Sequence, residues 1–64
     1  MNWDQIELLV GGCAYRARFR QVGDLVEVDW NGSKRGHPLG SLRVEVASAN
    51  GLRSMIVRAA KQAP

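Results

Sequence analysis

Apolar and polar residues alternate through most of the first half of the chain. Three two-residue turn signals, Gly11-Gly12, Gly23-Asp24 and Asn31-Gly32, divide that alternation into runs rich in Val, Ile, Leu, Tyr and Phe. Each dipeptide suits the positive φ angles of a tight hairpin, and Asn-Gly is among the strongest such signals. A turn at 11–12 sets Val10 against Cys13, Leu8 against Tyr15, Glu7 against Arg16 and Ile6 against Ala17. A turn at 23–24 sets Val22 against Leu25, Arg20 against Glu27, Phe19 against Val28, Arg18 against Asp29 and Ala17 against Trp30. A slip of one residue would invert every face, so agreement between two independent turns is a stringent test. They agree. Ile6, Leu8, Tyr15, Ala17, Phe19, Val26, Val28 and Trp30 share one face, and Glu7, Arg16, Arg18, Arg20, Glu27 and Asp29 share the other.

The pattern predicts an antiparallel β-meander with strands near 5–10, 13–22 and 25–30. The stretch 33–41 holds Gly36, Pro38 and Gly40, all strand breakers, and reads as a long loop that at most opens with a short strand. Alternation returns at Leu42, Val44 and Val46, which predicts a fourth strand near 42–47. Two readings compete beyond it. Asn50-Gly51 as a further hairpin would add a fifth strand and curl the sheet into a small SH3-like barrel, but would set Arg43 against Arg58, and like charges directly opposed are destabilising. A helix near 52–62 places Leu52, Met55, Ile56, Ala59 and Ala60 on one stripe, with Ser54, Arg58 and Lys61 on the wet side. The helix is preferred, with Ser48 or Asn50 as its N-cap. The expected class is therefore α+β or mainly β, in one small domain spanning 1–64.

Composition narrows the function classes. At 64 residues the chain carries nine basic and six acidic side chains, a net charge of +3. Its one cysteine, Cys13, excludes an internal disulfide and favours a reducing compartment. Cys13 and His37 are too few soft ligands for a structural metal, and no cofactor motif is present. The start of the chain has no charged n-region or long apolar run, so the expectation is a cytoplasmic protein without a membrane span. Seven arginines against two lysines, with many Ala, Gly and Val, hint at a GC-rich bacterial genome.

Arg16, Arg18 and Arg20 form the most conspicuous charged feature, yet the register sets Glu7, Asp29 and Glu27 opposite them. The expected role is a self-neutralised, solvated sheet face. Setting aside these pairs and the adjacent Arg43 and Glu45 leaves Lys34, Arg35, Arg53, Arg58 and Lys61 against Asp4 and Asp24. The whole positive excess thus falls in the central loop and the C-terminal segment. Lys34, Arg35, His37, Arg53, Arg58 and Lys61 are the candidate polyanion-binding residues, and Trp3 is a candidate interface residue because aromatics are enriched at interface cores. The run Gly32-Ser33-Lys34-Arg35-Gly36-His37 lacks the order and the following helix of a phosphate-binding P-loop.

No nucleophile, base and orienting group come together in any register, so catalysis is not expected, nor is a small-molecule substrate. The leading expectation is a non-enzymatic binding module acting through protein contact or self-association, such as a homodimer. The alternative is a weak nucleic-acid binder using the basic loop and C-terminal segment, since a sheet followed by a helix is a layout shared with some sheet-type DNA-binding modules.

Overall fold

The computed structural model describes residues 3–62; Met1, Asn2, Ala63 and Pro64 lie outside it. Four antiparallel strands form an open sheet in the order β1-β2-β3-β4, followed by one long helix. The strands are β1 (Asp4–Val10), β2 (Cys13–Val22), β3 (Leu25–Trp30) and β4 (Ser33–Pro38), and the helix is α1 (Val44–Gln62). The β1–β2 register pairs Val10 with Cys13 through Asp4 with Phe19, and the β2–β3 register pairs Val22 with Leu25 through Arg18 with Asp29. Both hairpins therefore follow the alternation of the sequence. The second ladder stops at Arg18 and Asp29, so Ala17 and Trp30 are not paired. Trp30 instead meets Tyr15 edge-to-face, with ring centres 6.0 Å apart.

The predicted apolar face is the core face. Ala17, Phe19, Val26 and Val28 are buried there against Ala47, Leu52, Met55 and Ile56 of α1, with Ile6, Leu8, Tyr15 and Trp30 packed around them. The helix lies mainly across β3 and β1, and β4 is one of the two edges of the sheet.

Two expectations are corrected. The stretch 33–38, read as a loop, is strand β4. Asn31 (φ 54°) and Gly32 (φ 81°) both adopt left-handed geometry, as a type I′ hairpin requires, and the ladder then runs from Trp30–Ser33 to Leu25–Pro38. Its breakers are harmless in this position. Hydrogen-bonded and non-bonded pairs alternate away from the turn, so the nitrogen of Pro38 points off the open edge, where no ladder bond is lost. Gly36 sits on the outward face opposite Glu27.

The second correction concerns 42–47: Leu42 and Arg43 lie outside any strand and α1 begins at Val44, so the fourth strand expected there does not form. No fifth strand forms among the described residues, so the SH3-like alternative does not arise. Val44, Ala47, Ser48, Gly51, Leu52, Met55 and Ile56 follow i, i+3, i+4 spacing, and all but half-buried Val44 are buried. Ser48 and Gly51 interrupt the apolar signal of that stripe without leaving the sheet-facing side. The Ser48 hydroxyl is satisfied by donating to the Glu45 carbonyl at 3.0 Å. Neither Ser48 nor Asn50 caps the helix. Arg43 occupies the N-cap position, its carbonyl accepting from the Ala47 amide at 2.9 Å, and Glu45 lies in the first turn, where the helix dipole favours an acid.

Candidate anion-binding site

The β4 register decides which basic residues meet. Arg35 pairs with Val28 and His37 with Val26, both fully buried core residues, so these two β4 side chains stand on the helix side of the sheet. Ser54 and Arg58, one helical turn apart on the exposed side of α1, face them. Together Arg35, His37, Ser54, Met55 and Arg58 line a recess of about 480 Å³ between β4 and α1. A second depression of about 440 Å³ shares Ser54 and Arg58 and continues along the helix past Arg53, Val57 and Lys61. Five of the six predicted residues, Arg35, His37, Arg53, Arg58 and Lys61, thus fall along one continuous band.

Lys34 is the exception. It borders the recess, but its ammonium lies on the opposite sheet face, 5.7 Å from the centre of the Trp3 ring. Trp3 packs there over Arg18 and Arg20, at 5.0 and 4.4 Å from ring centre to guanidinium carbon. This half-buried indole is engaged with its own chain, and a cation–π contact of this kind is worth roughly 0.5–1 kcal/mol.

The outer sheet face is the neutralised surface the register predicts. Arg16 pairs with Glu7 at 3.2 Å, Arg18 with Asp29, and Arg20 with Glu27 at 2.7 Å. The β4–α1 band is different. Among the described residues no ion pair involves Arg35, Arg53, Arg58 or Lys61, and no carboxylate lines either depression.

His37 is the most constrained group in the recess. Its Nε2 is buried without a hydrogen-bond partner among the described residues. The reason is Gly51. A Cβ at that position would lie 2.5 Å from His37 Cδ2 and 2.8 Å from Nε2, so only glycine lets the helix settle onto the imidazole. Of the two ring nitrogens Nε2 is the one pressed against the helix, and Nδ1 is not buried without a partner. Burial, with the Arg35 guanidinium as the lesser cause, holds the imidazole below its ordinary pKa of 6.5.

Two contributors escaped the sequence reading. Ser54 was visible on the wet side of the helix with Arg58, but nothing in the sequence showed that this side meets β4. Gly51 read as a turn residue, and only its contact with His37 explains a glycine inside a helix. No protein-family model, curated protein or solved structure matches the chain.

Proposed function

We propose that the protein is a small, non-enzymatic binding module whose working surface is the basic band along β4 and α1, and whose partner is nucleic acid. The observation that carries this reading is the convergence of Arg35, His37 and Arg58 on one recess, continuous with Arg53 and Lys61 and free of any lining carboxylate. Arginine presents a planar fork of donors matched to phosphate oxygens, which makes it suited to this ligand. A run of cations without counter-charges along one edge is also the usual electrostatic footprint of a nucleic-acid surface. An acidic protein would answer the same charge, but would need apolar contacts as well, and among the residues lining the two depressions Val57 is the one exposed large apolar side chain.

Catalysis is not part of the proposal. Ser54 and His37 share the recess, yet no acid stands there to orient the imidazole, and Nε2 faces the helix backbone. Free, exposed Cys13 supports a reducing compartment, the cytoplasm. No helix among the described residues is long and apolar enough to cross a membrane.

The test is retention of a random-sequence duplex by fluorescence anisotropy across a salt series. With Arg35, Arg53, Arg58 and Lys61 each neutralising one phosphate, the log–log salt slope is about −3.6, so affinity falls more than a hundredfold between about 50 and 200 mM salt. Absence of retention at the low-salt end removes the reading.

Self-association is a second reading, supported by β1. That edge strand carries no proline or lysine, and Leu9, on its outward face, is 70% exposed. Edges of this kind are templates for strand pairing. A strictly monomeric sedimentation profile at high protein concentration disposes of it.

A further inference from the structure

Resting on the nucleic-acid reading, we propose that the recess between β4 and α1 is a subsite for a terminal phosphate monoester, held by Arg35, Arg58, the Ser54 hydroxyl and the Nδ1–H of His37. Four donors reach it from two walls. Arg35 and His37 are two residues apart and so point to the same side of β4, while Ser54 and Arg58 are stacked one turn apart on α1. None of the four side chains spends its donors elsewhere, since no hydrogen bond or ion pair to them occurs among the described residues. The donor set contains no acceptor carboxylate, so the recess is specific for an anion rather than a cation.

The donor set distinguishes the end of a chain from its middle. Buried Met55 and the β4 backbone at Gly36 form part of the lining of the recess, and its volume of about 480 Å³ lies in the range of small-ligand pockets. A phosphodiester offers these donors a single charge and two free oxygens. A monoester brings a charge of about −1.5 to −2 with three free oxygens. Arg35, on the same strand, is the charged group that acts on the His37 ring, and Arg58 lines the same recess from the helix, while the Lys34 ammonium is turned to the far side of the sheet. An anion held between those guanidiniums stabilises protonated His37, so filling the site raises the midpoint at which the imidazole titrates.

Two measurements on the full chain test the subsite. The first follows the His37 imidazole resonances by NMR during titration with inorganic phosphate. The second compares a 5′-phosphorylated and a 5′-hydroxyl oligonucleotide of one sequence by anisotropy, each labelled at the 3′ end. The expected results are a phosphate-dependent upward move of the His37 midpoint and about tenfold tighter binding of the phosphorylated oligonucleotide, the scale of one added charge-assisted contact. Ser54→Ala and Arg58→Ala, both at exposed positions, should erase that difference while leaving the fold intact. Equal binding of the two oligonucleotides overturns the subsite and leaves the wider nucleic-acid reading standing. A His37 response to phosphate with neither oligonucleotide retained keeps the subsite and removes that wider reading. A silent His37 overturns the subsite whatever the oligonucleotides do.

Discussion

The protein carries arginines on two surfaces that differ in what stands opposite them. On the outer face of the sheet, Arg16, Arg18 and Arg20 alternate along β2, and β1 and β3 bring a carboxylate to each. On the other side, Arg35 at the sheet edge and Arg53 and Arg58 on the helix meet no acid among the described residues. The first surface is the denser in arginine and the more conspicuous in sequence, yet its charge is already answered within the fold. Residue type alone therefore draws attention to a surface that is already neutralised, and strand register separates it from the unpaired one.

Displacing the His37 ring from the helix without touching a charge separates the two regions most strongly. Gly51→Ala gains helix propensity of about 1 kcal/mol, but its Cβ drives into the His37 ring. Overpacking of this kind costs typically 1–3 kcal/mol. We expect a net loss of stability by chemical denaturation, relieved in the double variant with His37→Ala, while the outer ion pairs are unaffected. A more stable Gly51→Ala would show that the helix does not depend on this close approach.

Arg58 belongs to both depressions, so Arg58→Ala should lower duplex affinity about tenfold and reduce the magnitude of the salt slope by about one. Arg16→Ala should change neither by a comparable amount. A larger effect from Arg16→Ala would reverse the assignment of the two surfaces.

Within the outer face the pairs should grade with exposure. Glu7 and Arg16 are largely exposed, at 55% and 82% of their side chains, whereas Arg20 and Glu27 are near 30%. Double-mutant cycles should give a coupling near zero for the first pair and up to about 1 kcal/mol for the second. Equal couplings would mean that burial does not govern this ladder.

The smallest effect is on pH dependence. Because His37 titrates below its ordinary 6.5 in the folded chain, the unfolded chain binds more protons as the pH falls. The imidazole therefore contributes no penalty above about 6.5, and stability declines below it. His37→Asn should flatten that part of the profile, read as midpoint denaturation against pH, while no substitution on the outer face does so.

Much of this was legible in the sequence and part was not. The two first hairpins were readable because two turns independently imposed one register on Ile6, Tyr15, Phe19 and Val28. The edge strand β4 was hidden by Gly36 and Pro38, since a breaker in sequence is no breaker on an open edge where its missing donor points to solvent. The start of α1 was hidden by Ser48 and Gly51. Both sit on the buried stripe, one satisfied by a backbone carbonyl and the other required by a ring from a different element. The candidate residues themselves were found by subtracting paired charges. Their meeting across β4 and α1, and the role of Ser54 beside them, depend on the strand that the sequence concealed. Lys34 was grouped with Arg35, and only the β4 register shows that the two stand on opposite faces of the sheet.

The central claim, that the unanswered charges of β4 and α1 form the binding surface, is tested most directly by amide chemical-shift mapping of the labelled protein against a short duplex. We expect perturbations concentrated at Lys34 to His37 and at Arg53, Ser54, Arg58 and Lys61, with β2 largely silent. Perturbations centred on Arg16, Arg18 and Arg20 instead would contradict it.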